Sequence, residues 1–463
     1  MALGTVRKLF ASSAAAERIS LDLYEWLPLY IRHRFLVGPS FFKWLSLIRE
    51  AEHWDRDRIQ TYQIRKTREL LRHAMQHVPY YRELFRNIGF KPERLQSLDD
   101  LKIIPPLSKT TVQDNPTAFV DERVPLKSLS RKTTGGSSGI PLTIYRSKEN
   151  EAAFLAFRTN ILDRAGYKLK RREVSLWPDA KLGGRRVPVF RYGRKLILST
   201  GFVTGDWIRK YLDMIRDFRP EYVLGYPSVL AVLAAYAAHN DIMPYDGIKA
   251  VITYSENLYE QQRELLQRSF GCPVFSMYAM TERAAIGGSC EFSTRMHFHP
   301  LYGVMEFVDW QVGCKEAVVT GFTNYEMPLI RYRTGDLVQG DEGHCPACGR
   351  HHPVVSSIEG RTHSYLVGKN SELIPGITSW LGTFPNVLEY QFIQRQKGIA
   401  YLNIVPTERF SKSDLTVVKE ELKRMFAMTE GAVEIEPAFT EHLERTASGK
   451  INMVEQKLDI FSL

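Results

Sequence analysis

Nine residues, Thr133-Thr134-Gly135-Gly136-Ser137-Ser138-Gly139-Ile140-Pro141, set three glycines and four hydroxyls side by side. Glycine reaches positive φ and lets successive backbone N–H groups converge, and hydroxyls add further donors. Both suit a concavity that wraps a polyphosphate. The stretch is not a Walker A loop, because Ile140 and Pro141 stand where that motif needs glycine and its Lys-Ser/Thr pair. A plain hairpin turn explains the same residues less specifically.

Three later stretches offer complementary groups. Tyr278-Ala279-Met280-Thr281-Glu282 gathers an aromatic ring, a hydroxyl and a carboxylate at the end of an apolar run. A ring stacks on a purine, a hydroxyl bonds a phosphate oxygen, and a carboxylate holds Mg²⁺ that also touches phosphate. Arg331-Tyr332-Arg333-Thr334-Gly335-Asp336 places an acid after a short strand, in a glycine-containing turn, where it suits a ribose diol or an ion pair with either arginine. Arg445-Thr446-Ala447-Ser448-Gly449-Lys450 sets a lysine on a polar loop near the end of the chain, a point charge for a carboxylate or phosphate.

Cys345-Pro346-Ala347-Cys348-Gly349 has the spacing of a thiolate knuckle, half of a zinc site. The other half is expected from Cys290 with His297, or with His299. Four N/S ligands would close a structural tetrahedron. His351 and His352 are assigned to solvated loop. Redox catalysis is not indicated, because no thioredoxin-like strand–helix context surrounds the pair.

The elements that must position these groups follow from periodicity. Residues 1–125 read as a helical prelude: a helical pattern from about Arg56, broken and restarted at Val78-Pro79-Tyr80-Tyr81 and ended by Gly89, then a proline-braced linker, Ile103-Ile104-Pro105-Pro106-Leu107. Residues 126–297 alternate strands (Glu173–Trp177, Lys195–Ser199, Tyr222–Leu224, Ala250–Tyr254, Val274–Tyr278) with helices (Lys148–Ala165, Thr204–Phe218, Ser228–His239, Tyr259–Ser269). That is an α/β core with parallel pairing, whose sites lie at the carboxyl ends of strands. Residues 298–360 change to short strands, Val304–Val308, Glu316–Thr320 and Leu329–Tyr332, a β-rich subdomain that includes the Cys-x-x-Cys. Residues 361–463 form a small α+β lid behind a hinge at Gly360–Ser364. The fold class is therefore α/β: a large domain, 1–360, with mixed and parallel sheets, and a small mobile C-terminal domain. Trp177 is read as core.

Composition agrees with an ordinary globular protein of 463 residues, 44% hydrophobic and 25% charged. The formal charge of +10 fits anionic small substrates as well as a solvated surface, and no aromatic-interleaved nucleic-acid motif accompanies it. Five unevenly spaced cysteines argue against a disulfide framework and for a reducing, cytoplasmic setting. No signal peptide is evident. Residues 21–48 are aromatic but interrupted by Asp22, Glu25, Arg32, Arg34 and Lys43, short of the roughly 18 apolar residues of a spanning helix. Docking onto the protein's own body is the expected role of this stretch, with peripheral membrane contact the alternative.

Taken in order, the glycine loop, Tyr-x-x-Thr-Glu at 278–282, Tyr-Arg-Thr-Gly-Asp at 332–336, Gly360-Arg361 and Thr-x-x-Gly-Lys at 446–450 resemble the adenylate-forming superfamily of acyl- and aryl-CoA synthetases. The nearest branch resembles phenylacetate–CoA ligase and CapK-like (capsule polysaccharide biosynthesis) proteins, in whose style are His77-Val78-Pro79-Tyr80-Tyr81-Arg82, Gly89-Phe90-Lys91-Pro92, Pro105-Pro106-Leu107-Ser108-Lys109 and the cysteine knuckle. The resemblance spans most of the chain. It implies that ATP and a carboxylic acid react to an acyl-adenylate and pyrophosphate, with transfer of the acyl group to coenzyme A or another acceptor.

By the same resemblance, Thr134, Gly135, Gly136, Ser137, Ser138 and Gly139 would hold the β- and γ-phosphates, and Tyr278 would stack on adenine. Thr281 would touch the α-phosphate and Glu282 hold Mg²⁺. Asp336, with Arg361, would grip the ribose, and Lys450 would bridge the carboxylate and the ATP oxygens before the C-terminal domain swings it away. Ala279, Leu301 and Ser364 stand where the family usually has glycine, glutamate and aspartate. The implied partners are a small carboxylic acid and ATP, on a monomer or homodimer. The rival reading is a non-catalytic nucleotide-binding scaffold descended from such an enzyme, against which Lys450, Glu282 and Asp336 all argue.

Overall fold

A computed structural model describes residues 38–463 apart from 135–141, 169–170, 178–180, 183–184, 204–205, 243–244, 311–313, 341–342, 362–364, 372, 376–383, 385, 430, 444–450, 452 and 459–463. Gly135, Gly136, Ser137, Ser138, Gly139, Lys450 and most of the expected hinge thus lie outside the described residues, as does the side chain of Arg361. The described residues fall into two compact units. One comprises Pro28–Ala165 and Met277–Ile358, the other Gly166–Ser276 and Glu359–Leu463. The chain passes from the second to the first within the strand Val274–Ala279.

In the first unit the prelude is built into the body. The helix Pro39–Ala51 buries Phe41, Ile48 and Ala51, and its Trp44 donates to Glu149 at 2.9 Å and sets its ring 5.6 Å from Phe157. This part of the aromatic stretch therefore docks onto the protein itself. Asp55 caps the helix Arg56–His77 by accepting from Arg58 N, and the positions at helical spacing, Ile59, Tyr62, Leu70, Leu71 and Ala74, are buried. Pro79 then opens the helix Pro79–Asn87, where its missing N–H costs nothing. Gln63 donates to the carbonyls of Pro300 and Gly303 at 3.0 and 3.1 Å. Tyr81 donates to Pro328 O while accepting from Ile330 N. Prelude side chains thus satisfy backbone groups of the β-rich segment.

In that segment Gly303–Asp309, Lys315–Gly321 and Tyr332–Gln339 pair antiparallel in that order, within a four-stranded sheet. The first two expected strands are present. The third begins where it was expected to end, at Tyr332, because Arg331 sits at φ 50° and breaks the extended run before it. An antiparallel meander joins Met277–Ala279, Ile286–Ser289, Met296–Phe298 and Val354–Val355. Met296, Phe298, Ala317, Val338 and Val355 form the core of this region.

In the second unit Glu173–Trp177 lies between Lys195–Ser199 and Tyr222–Gly225, and Tyr222–Gly225 pairs with Ala250–Tyr254, all in parallel. Every residue of Ala250–Tyr254 is buried, as a parallel strand covered on both faces requires. Val189–Tyr192, not recognised in the sequence, pairs antiparallel with Lys195–Ser199 across a two-residue turn that holds Gly193 at φ 49°. Trp177 is not core: it closes its strand 47% exposed. The C-terminal part has the expected hairpin, Val387–Gln396 with Ile399–Pro406, flanked in parallel by Val454–Gln456 and Glu434–Phe439. The helix Lys412–Met428, opened by a Ser411/Asp414 capping box, covers it with Val418, Leu422 and Met425. Among the described residues no helix is long and apolar enough to cross a membrane.

Candidate active site and metal centre

Two of the sequence motifs meet in the first unit, bonded crosswise. Tyr278, which opens the first motif, donates to Oδ2 of Asp336, which closes the second, at 2.6 Å. Tyr332, which opens the second, donates to Oε1 of Glu282, which closes the first, at 3.2 Å. Segments 58 and 50 residues apart in sequence thereby share one surface carrying a ring and two carboxylates. Glu282 is 8% exposed, so it is no solvated strand-end acid, and its Oε2 receives no hydrogen bond among the described residues.

Asp336 is not on a turn, as its glycine neighbour suggested. It lies inside the strand Tyr332–Gln339, where a bulge opposite Ala317, with Gly335 at φ 72°, turns the carboxylate out of simple alternation. Nor do the neighbouring arginines neutralise it. Arg331 pairs with Glu306, and Arg333 with Glu316. The Tyr278 ring meets Phe298 edge-on at 5.3 Å, and Thr281 follows half-buried.

The turn that carries Glu282 rests on glycines. A Cβ at Gly321 would come within 2.9 Å of Ala284 Cα, and one at Gly303 within 3.1 Å of Ala284 O. Arg283, next to Glu282, takes φ 58° and is held by Glu151 at 3.5 Å and by the face of Phe154. Glu151 also pairs with Arg146 at 2.8 Å. Arg146 ends the strand that leaves the glycine loop, so one carboxylate links that strand to the Glu282 turn. Burial, and then the nearby Arg283 charge, pulls Arg146 down to about 10. On either side of the loop, Ser130–Thr133 pairs antiparallel with Thr143–Arg146. The loop's mouth is closed by Thr134 and Leu142, which exchange two bonds at 3.0 Å, Thr134 N to Leu142 O and Leu142 N to Thr134 Oγ1.

The expected zinc ligands come together as a separate cluster. The ligand atoms of Cys290, His297, Cys345 and Cys348 all lie within 4.8 Å of one another, with Cys290 Sγ to Cys345 Sγ at 3.9 Å and His297 Nε2 to Cys348 Sγ at 4.0 Å. A tetrahedron with Zn–S bonds of about 2.3 Å has sulfur–sulfur edges near 3.8 Å. Cys290 follows the strand Ile286–Ser289 and His297 lies on Met296–Phe298, its antiparallel neighbour. The knuckle closes through Gly349 N to Cys345 O, with Gly349 at φ 74°. Burial, then the Arg164 and Arg350 charges, hold His297 neutral by lowering it to about 3, the form a metal ligand needs. His299 is the rejected alternative. Its Nδ1 accepts from Leu301 N, and its ring packs on Phe157 at 4.6 Å.

Arg350 braces the knuckle. It bonds Cys348, holds Glu291 through two nitrogens at 2.6 and 2.8 Å, and reaches Glu52 at 2.5 Å. Glu52 also accepts from Asn160 at 3.0 Å and pairs with Arg164. His352 is not solvated loop: it is fully buried, 5.0 Å from the His299 ring. No supporting role was expected of Arg350, Glu52 or Tyr332. Only the register of the folded strands brings them to the motifs.

No protein-family model matches the chain. It is 23% identical over 364 residues to Protein CapK of Staphylococcus aureus, covering 75% of this chain and 78% of that protein. It is 25% identical over 363 residues to the phenylacetate-coenzyme A ligase of Thermus thermophilus, covering 75% and 81%. Among solved structures it is similar to 2-hydroxyisobutyryl-CoA ligase in the postadenylation state with R3-HIB-AMP, at TM-score 0.72, 18% identity and 89% and 92% coverage. It is also similar to the anthranilate CoA ligase AuaEII with anthranoyl-AMP, at TM-score 0.50, 17% identity and 72% and 66% coverage. The chain is thus a relative of the phenylacetate–coenzyme A ligases and of CapK, on the fold of the adenylate-forming superfamily.

Proposed function

We propose that the chain is an ATP-dependent ligase that converts a carboxylic acid to an acyl-adenylate, releasing pyrophosphate, and passes the acyl group to coenzyme A or another acceptor. The observation that carries this reading is the crossed pairing of Tyr278 with Asp336 and Tyr332 with Glu282. It joins a base-stacking ring, a diol-binding acid and a cation-binding acid on one surface. Relatives that are acid–thiol ligases support the same chemistry.

Two anions must meet at the α-phosphorus, so such a site works mainly by positioning and by offsetting charge. Thr134 and the glycine loop, Gly135, Gly136, Ser137, Ser138 and Gly139, take the β- and γ-phosphates, and Thr281 the α-phosphate. Asp336, with Arg361, holds the ribose, and Tyr278 the adenine. Lys450 joins the acid carboxylate to the nucleotide, from a C-terminal domain that begins at about residue 361 and moves between the half-reactions. Glu282 fits a Mg²⁺ ligand: it is buried, its Oε1 is fixed by Tyr332, and its Oε2 has lone pairs to offer. A bound magnesium ion would offset phosphate charge. The Cys290, His297, Cys345 and Cys348 cluster is assigned to structural zinc, pinning the β-rich segment near Tyr278–Glu282. A cytoplasmic location and a role in surface-polysaccharide or related biosynthesis complete the proposal, the latter by resemblance to the capsule-type branch.

Acid-dependent exchange of labelled pyrophosphate into ATP, over a panel of aryl, hydroxy and short-chain acids, is the test. Exchange with at least one acid is expected. AMP binding without exchange for any acid would favour the scaffold reading instead.

A further inference from the structure

Arg331 takes φ 50°, a left-handed conformation that favours glycine, yet the side chain there is an arginine, 6% exposed. Such an outlier persists only where its surroundings hold it. Here they do. Arg331 N donates to Thr320 Oγ1 at 3.0 Å, and its Nε and Nη2 grip the Glu306 carboxylate at 2.9 to 3.1 Å. Its Nη1 donates to the carbonyls of Ile104 at 2.5 Å and Lys102 at 3.3 Å. The proline-braced linker of the prelude also grips the backbone on both sides of Tyr332. Leu107 N donates to Arg331 O at 2.8 Å, and Arg333 N donates to Leu107 O at 2.9 Å, a parallel bridge of Leu107 with Tyr332.

The residue between those two bonds is therefore fixed by a backbone clasp and a buried ion pair together. Its side chain is 1% exposed, and its hydroxyl ends on Glu282 Oε1. We propose that Tyr332 is a positioning residue for the Glu282 carboxylate, and that the Lys102–Leu107 segment with Arg331 is the strap that sets it. Tyr332 ties down Oε1, and Oε2 would be the oxygen offered to a divalent cation. A phenol hydrogen bond to one carboxylate oxygen removes the rotation that would otherwise scatter the other, as supporting partners do for metal ligands elsewhere. The inference rests on the ligase reading, in which Glu282 meets Mg²⁺ held with ATP.

The experiment is Mn²⁺ titration, followed by electron paramagnetic resonance, of the full-length protein saturated with a non-hydrolysable ATP analogue. Tyr332→Phe is expected to weaken Mn²⁺ binding about tenfold or more. Metal-free AMP affinity should stay within about twofold and the melting temperature within about 2 °C, since the buried ring is kept. Arg331→Lys, which loses the forked grip on Glu306, should weaken Mn²⁺ in the same direction. Should that variant fail to fold, Tyr332→Phe decides alone. Unchanged Mn²⁺ affinity in Tyr332→Phe overturns the proposal, and so does an equal loss of Mn²⁺ and AMP binding, which would mark general damage. Wild-type protein that binds no Mn²⁺ with the analogue and performs no exchange would instead overturn the ligase reading itself.

Discussion

The phenol of Tyr278 and the carboxylate of Asp336 lie 2.6 Å apart, so the hydroxyl already occupies an oxygen that the proposed function gives to ribose. The ring, not the hydroxyl, is then what the adenine needs. Tyr278→Phe should leave the AMP dissociation constant within about threefold, while Tyr278→Ala raises it about tenfold or more, since base–aromatic stacking is worth ~1–3 kcal/mol. Asp336→Asn should cost about ten- to a hundredfold, the range of a hydrogen bond to a charged group. Calorimetric AMP titration of the three variants checks the order.

Lys450 is assigned to adenylation and not to thioester formation. Lys450→Ala should lower pyrophosphate exchange by about two to three orders of magnitude, as loss of a group aimed at developing charge does. Release of coenzyme A thioester from a supplied acyl-adenylate should be nearly spared. Equal loss in both assays would argue against a lysine withdrawn between the two steps.

The cysteine–histidine cluster predicts one zinc per chain in purified protein by elemental analysis. Cys345→Ser should lose the metal and melt at least about 5 °C lower, because a structural zinc contributes its binding free energy to folding. Protein isolated under reducing conditions without stoichiometric zinc would sink the assignment.

Asp121 gives a pH signature away from both sites. Burial alone would raise its pKa, but bonds from the Arg123 guanidinium and backbone, and the neighbouring His73, bring it below the usual carboxylate value. A carboxyl lowered on folding adds stability above its unfolded pKa and loses it as pH falls through the folded one. Asp121→Asn should therefore destabilise by about 1–2 kcal/mol at neutral pH, a range discounted because Arg123 is half-exposed. The gap from wild type should hold from about pH 7 to about pH 5 and narrow below that. Urea unfolding across this range measures it. A gap that widens in acid would show the sign to be wrong.

Much of the fold was legible because its elements obey simple periods. Ala250–Tyr254 and the helix Pro227–His239 sit within a residue or so of their expected bounds. The grouping of Cys290, His297, Cys345 and Cys348 was legible for a different reason: metal-ligand chemistry limits both spacing and residue type. What escaped was conformation that no local pattern encodes. The left-handed Arg331 delayed the strand that was placed at Leu329, and the bulge at Gly335 put Asp336 in a ladder instead of a turn. His352, polar and beside a loop, looked solvated. Its burial follows from packing against His297, on a strand more than fifty residues earlier, and against His299 just beyond that strand. Trp177 was read as core rather than substrate platform, whereas its place at a strand end leaves it half open.

The two backbone bonds of Leu107 bear on how this chain could tolerate change over time. The exposed Ile103, Pro105 and Pro106 can drift, while the buried Ile104 and Leu107 must stay apolar and the linker must keep its carbonyl and amide groups in place. The linker's length cannot drift. Dropping or adding one residue after Ile104 would move either the carbonyl under Arg331 or the amide beside Tyr332 out of reach. Insertions and deletions in descendants of this chain should therefore gather elsewhere in the prelude, and this short linker should keep a fixed spacing even where its residues differ.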